Sequence, residues 1–261
     1  MADTIRITTD ARGIATLTLA RPDKHNALSG PMIAEITEAA AQLGVDPAVR
    51  AVILAAEGAS FCAGGDLGWM RDQIGADGAQ RASEARKLAG MLGALNSLPK
   101  PLIGRVQGNA FGGGVGMACV CDVAIGAAGA KFGLTETKLG LIPATIGPYV
   151  LARMGEANAR QVFMSARLFG ADEAARLGVL SRVVAPEDLD AAIEAEVLPY
   201  LSTAPGAVAE AKALTRRFGM VIDQKAIDDS ITALVARWES PESAEGIAAF
   251  FDKRKAAFVA G

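Results

Sequence analysis

Three consecutive glycines, Gly112-Gly113-Gly114, constrain this chain more than any other stretch. The run before them, Lys100-Pro101-Leu102-Ile103-Gly104-Arg105-Val106-Gln107-Gly108-Asn109-Ala110-Phe111, reads as a buried strand ending in a turn. The run after them, Val115-Gly116-Met117-Ala118-Cys119-Val120-Cys121, reads as a short apolar helix. A strand, a glycine turn and a helix start leave unpaired backbone N–H groups beside a surface that another molecule can approach closely. Such a turn can hold a phosphate, or an oxygen that becomes negative during a reaction.

A second loop has the same character. Gly58-Ala59-Ser60-Phe61-Cys62-Ala63-Gly64-Gly65-Asp66-Leu67 follows Ala51-Val52-Ile53-Leu54-Ala55, whose unbroken apolar run suits a strand buried on both faces. If the two loops are neighbours in a sheet, their amides converge on one point. The glycines also have a plainer use, in tight turns and close helix–strand packing. Neither loop fits G-x-G-x-x-G, and no G-x-x-x-x-G-K-[ST] occurs, which weakens dinucleotide binding as a rival.

The single histidine, His25, narrows the chemistry further. A zinc site or a Ser-His-Asp triad would have to be built on it, and no G-x-S-x-G turn or Cys-x-x-Cys pair accompanies it. Carboxylates, backbone donors or a cofactor must therefore do the work, and no metal is expected. Cys62, Cys119 and Cys121 are odd in number and lie among apolar residues, as packed, reduced thiols do. A net charge of −3 with interspersed signs gives neither a nucleic-acid footprint nor a membrane patch. The stretch Met1-Ala2-Asp3-Thr4-Ile5-Arg6 lacks a signal peptide's apolar core, so a cytoplasmic location is expected.

Along the chain, Ile5–Thr8 and Ile14–Leu19 alternate apolar and polar residues around Asp10-Ala11-Arg12-Gly13, a hairpin pattern. Arg21–Asn26 is a polar turn, and helical spacing from Ser29 places Ile33, Ile36, Ala40 and Leu43 on one face, closing at Gly44. A helix follows from Gly78 to Leu98, then strands at Asp122–Gly126, Lys131–Leu134 and Val183–Ala185, with short helices at Pro143–Met154, Asn158–Ser165 and Asp172–Leu177. From Asp188 onward four helical patterns occur and no strand. Strand-strand-helix units suggest an α/β spiral of right-handed crossovers. A soft boundary near Ala195 divides a core of residues 1–195 from a helical region of residues 196–261. That tail carries more apolar face than it can bury on itself, which predicts self-association.

Arg21-Pro22-Asp23-Lys24-His25-Asn26-Ala27-Leu28, Phe61-Cys62-Ala63-Gly64-Gly65-Asp66-Leu67 and the run from Lys100 to Gly114 together resemble the crotonase (enoyl-CoA hydratase/isomerase) superfamily. So do Cys121-Asp122, the run from Phe132 to Pro143, and Ala249-Phe250-Phe251-Asp252-Lys253-Arg254. These motifs stand in family order over essentially the whole chain. The resemblance implies a crotonase-like spiral with a C-terminal trimerisation region, acting as a trimer or dimer of trimers. It implies an acyl-CoA thioester substrate, with coenzyme A part of that substrate and no separate cofactor. By position, the amides of Ala63 and Gly113 would form the hole for the thioester oxygen, and Glu136 would transfer the proton. Burial of Glu136 in its mostly apolar segment would raise its pKa toward working pH. Lys24, Ala63, Asp66, Leu67 and Gly113 would lie along the coenzyme A ester. Lys253 would reach a phosphate of a neighbouring subunit. Asp66 has an equal claim as a helix N-cap, and His25 reads as a turn residue at the ligand rim.

One departure matters. Hydratases of the family carry a second glutamate where this chain has Gly116, flanked by Val115 and Met117. A single glutamate also suffices for Δ3,Δ2-enoyl-CoA isomerases, which shuttle a proton from C2 to C4. The runs Phe111–Gly116 and Thr135–Ala144 resemble methylglutaconyl-CoA and carboxygeranoyl-CoA hydratase-like members, so hydratase is the reading taken and isomerase the alternative. A non-catalytic acyl-CoA- or RNA-binding homologue is a third, and the acidic balance speaks against RNA.

Overall fold

In the computed structural model, which describes residues 3–260, two sheets are wound from one repeating path. Met1, Ala2 and Gly261, at the outer ends of the two expected segments and of the N-terminal stretch, lie outside the described residues. Strands β1 (Ile5–Thr9) and β2 (Ile14–Leu19) form the expected antiparallel hairpin, with Ile5 opposite Leu19. Helix α1 (Gly30–Val45) starts at the N-cap Ser29 and buries Met32, Ile33, Ile36, Ala39, Ala40 and Leu43, passing through Gly44 to end one residue later. The path then runs β3 (Ala51–Ala56), β4 (Ser60–Cys62), α2 (Leu67–Gly75), α3 (Gly78–Ser97), β5 (Leu102–Val106), β6 (Asn109–Phe111) and α4 (Gly113–Val120). After it come β7 (Val123–Ala127), β8 (Lys131–Gly133), α5 (Gly147–Met154), α6 (Glu156–Phe163), β9 (Leu168–Gly170), α7 (Ala171–Arg176) and β10 (Arg182–Val184). Helices α8 (Leu189–Val197), α9 (Pro205–Phe218), α10 (Gln224–Trp238) and α11 (Pro241–Phe251) complete the chain.

One sheet has the order β1-β2-β3-β5-β7-β10 and the other β4-β6-β8-β9. Successive turns of the spiral therefore give β3, β5 and β7 to the first sheet and the three-residue strands β4, β6 and β8 to the second. The run Lys100–Phe111 is not one strand: it breaks at Gln107-Gly108, and β5 and β6 enter different sheets. A Cβ on Gly108 would collide with the Ala59 carbonyl oxygen, so the corner accepts only glycine. The three-residue strands β4 and β9 and the nine-residue helix α2 were absent from the expected elements.

The main core fills the space between the sheets and helices α1, α3, α4 and α5, with Phe61, Phe132, Leu92 and Leu95 sealed inside. A second cluster joins Leu189, Ile193 and Val197 of α8 to Ile14, Ile103 and Ile125 of the large sheet. The boundary expected near Ala195 thus falls inside a helix that packs on the core. The tail also divides in use. Helices α10 and α11 fold back on the chain's own core, whereas α9 has no buried residue.

Candidate active site

Strands β4 and β6 are parallel neighbours, Cys62 opposite Ala110, so the two glycine loops leave the sheet side by side. Gly64 has φ +93°, and a Cβ on it would stand 3.1 Å from the Phe111 carbonyl oxygen and 3.8 Å from the Gly113 nitrogen. The loops touch backbone to backbone, a closeness and a conformation open to glycine.

The hydrogen bonds then decide which amides are free. Ala63 N–H donates to the His25 carbonyl at 3.0 Å, which contradicts its expected place in the oxyanion hole. Gly112 N–H donates to Gly133 O at 2.9 Å. Leu28 pairs with Gly65 as an isolated parallel bridge, through Leu28 N–H to Gly64 O at 2.7 Å and Asp66 N–H to Leu28 O at 3.0 Å. That pattern turns the N–H of Gly65 itself away from Leu28. Gly113 is the first residue of α4, where the N–H has no partner within the helix. Among the described residues, the N–H groups of Gly65 and Gly113 meet no acceptor. The donor pair is therefore Gly65 and Gly113, two residues along the first loop from the expected position.

Both line a cavity of about 480 Å³ with apolar walls that include Leu28, Ile33, Met70, Leu141 and Trp238. Glu136 enters it from the first residue of a 3-10 turn, Glu136–Leu139. A Cβ on Gly112 would lie 2.9 Å from Glu136 Oε1, which places the carboxylate against the glycine run. Oε2 is sealed from solvent and has no hydrogen-bond partner. Burial pushes the Glu136 carboxyl up to about 7, with only its own backbone N–H acting in the other direction. A carboxyl of that pKa, with one oxygen sealed and unpartnered beside two free amides, is equipped to move a proton next to a developing oxyanion.

Gly116 lies inside α4, off the cavity wall, and its missing side chain has a cause in the packing. A Cβ there would stand 2.8 Å from Ile146 Cγ2 and 3.1 Å from Ile146 Cβ. Ile146, which lines the cavity, fills the room a second glutamate would need.

The remaining expected residues separate. Leu67 lines the cavity and is half exposed. Asp66 does not line it. Its carboxylate caps α2 through Gly68 N–H at 2.8 Å and Trp69 N–H at 3.4 Å, and pairs with Arg21 at 3.0 Å. Burial raises its pKa, but the Arg21 bond and the two helix amides outweigh burial and hold it below the usual value. Lys24 is exposed on the turn before the bridge residue Leu28, outside the cavity wall. His25 sits in that turn with φ +49°, and its carbonyl holds the Ala63 loop. Lys253 is exposed just beyond α11, its N–H donating to Phe250 O at 3.2 Å. Cys62, Cys119 and Cys121 are buried free thiols, as expected.

Sequence reasoning missed the roof. Leu234 and Trp238 of α10 and Phe250 of α11 close the cavity from the chain's own tail. Arg237 donates from Nε and Nη2 to the Gly140 carbonyl at 3.0 and 2.7 Å, fastening α10 to the turn that bears Glu136. Only the apolar stripe of α10, with Leu234 and Trp238, hinted at this. It also misses Thr145, a buried polar residue in the cavity wall.

The family model described as enoyl-CoA hydratase/isomerase matches residues 9–260. A crotonyl-CoA hydratase of Syntrophomonas wolfei is 34% identical over 249 residues, covering 94% of each chain. The crystal structure of an enoyl-CoA hydratase from Shewanella pealeana superposes with a TM-score of 0.81 at 37% identity, over 99% of this chain and 97% of that one. An enoyl-CoA hydratase from Mycobacterium smegmatis gives 0.80 at 35% identity, over 98% of both.

Proposed function

This chain is an enzyme of the enoyl-CoA hydratase/isomerase family, and on that footing we propose that it adds water across the double bond of an α,β-unsaturated acyl-CoA. The thioester oxygen accepts from Gly65 and Gly113 N–H, and the Glu136 carboxylate takes a proton from water as its oxygen attacks C3. The C2–C3 π pair moves toward the thioester oxygen, giving an enolate. Glu136 then returns its proton to C2, so that the elements of water are added overall. Backbone donors suit the enolate because they are already aimed, and losing one such donor costs roughly 3–4 kcal/mol of barrier.

The observation that carries the reading is Glu136: sealed at Oε2, without a partner, raised to about 7, and beside two free amides. The crotonyl-CoA hydratase relative supports the same reaction class. A branched, methylglutaconyl-like acyl group belongs to this reading. Arg71 covers the Phe251 ring at 4.7 Å, Arg81 donates to Gln73 O at 3.1 Å and Arg86 pairs with Asp228 at 3.1 Å. Among the described residues, Lys138 is the only cation lining the cavity, and it supports a second substrate carboxylate. The enzyme acts in the cytoplasm as a homotrimer or dimer of trimers, Lys253 meeting a neighbouring subunit's coenzyme A phosphate.

The second reading, Δ3,Δ2-enoyl-CoA isomerase, is favoured by one observation: Ile146 leaves no room for a second acid. Absorbance separates them. A hydratase removes the enoyl-thioester band of crotonyl- or 3-methylglutaconyl-CoA, and an isomerase creates that band from a 3-enoyl-CoA.

A further inference from the structure

An attacking water must be held as well as deprotonated. Its lone pair has to point at C3 while one O–H faces Glu136, and a single contact leaves it free to rotate in an apolar cavity. The position in α4 where a second carboxylate would serve holds Gly116, and Ile146 fills its space. The second hold must come from elsewhere on the wall.

Few side chains qualify among the described residues. Trp69 Nε1 is already donated to Glu84 at 3.3 Å. Lys138 is exposed, and Thr135 is half-buried just beyond β8, its methyl 3.3 Å from where a Gly133 Cβ would be. Thr145 is different. It lines the cavity, is only 5% exposed, and makes no side-chain hydrogen bond among the described residues. It directly precedes Ile146, the residue that fills the space a side chain at Gly116 would need. A hydroxyl can accept one O–H of the water or donate to its free lone pair, and needs no pKa tuning to do so.

We propose that the Thr145 hydroxyl is a catalytic residue that holds the attacking water, in place of the second carboxylate. This rests on the hydratase reading. The test compares wild type, Thr145→Val and Thr145→Ser in hydration of crotonyl-CoA, with melting temperature recorded for each. Valine has the same shape as threonine without the hydroxyl. Thr145→Val is expected to lower kcat roughly 10- to 100-fold with KM within about twofold. Thr145→Ser should stay within about threefold of wild type. A wild-type kcat in Thr145→Val overturns the proposal, as does Thr145→Ser losing as much as Thr145→Val, which would make the role one of packing. A wild type that isomerises a 3-enoyl-CoA but hydrates neither crotonyl- nor 3-methylglutaconyl-CoA overturns the hydratase reading itself. That outcome is distinct from a hydratase indifferent to Thr145.

Discussion

In the proposed reaction, Glu136 acts through what surrounds it. Its carboxyl is raised to about 7 because burial disfavours the anion, and the base in water addition is that anion. The sign follows: kcat/KM should rise with pH through about 7, fall off tenfold per unit below it, and level above pH 8. A flat profile between pH 5.5 and 8 in initial-rate measurements would remove Glu136 as the base. The motif singled out Glu136, which the fold brings to the cavity wall. The free amide was not legible, because Ala63 and Gly65 differ only in that a carbonyl at His25, far back in the chain, takes the first. The cause of Gly116 was equally hidden, since Ile146 reaches it only after the chain has folded.

At the scale of elements, local patterning gave the long pieces and tertiary packing decided the rest. The hairpin and helices α1 and α3 follow their periodicity, with Asp77 and Gln80 forming a capping box at the start of α3. The break between β5 and β6 does not, because both halves are equally apolar and the corner is set by the approach of Ala59. Least legible was the roof made by α10 and α11. Arg237 bonds the Gly140 carbonyl twice, closing the turn Glu136–Leu139 from outside. A charged donor on a carbonyl is worth about 1.5–3 kcal/mol. Arg237→Met should loosen the turn, let water reach Glu136, and move the midpoint of the pH–rate profile below 7. A lower kcat with an unmoved midpoint would make Arg237 a purely structural tie.

For the whole molecule, the spiral core is self-contained and its tail is not. Lys212 of α9 is anchored to Asp122 at 2.7 Å and to the Lys100 carbonyl at 3.1 Å. Yet Phe218 is 79% exposed, and Leu214, Met220 and Val221 are exposed around it. Covering such a patch is a general reason to self-associate. Light scattering should give a mass of three or six chains, and Phe218→Glu should shift it toward one; a monomeric wild type would refute the assembly. Among the described residues no helix is long and apolar enough to cross a membrane. The most direct test of how the molecule works is the loss of enoyl-thioester absorbance from crotonyl-CoA by wild type and Glu136→Gln. The amide keeps the shape of the acid and cannot take the proton. Hydration slowed roughly 10²–10⁴-fold at unchanged melting temperature is the predicted result, and hydration by Glu136→Gln at the wild-type rate would contradict it.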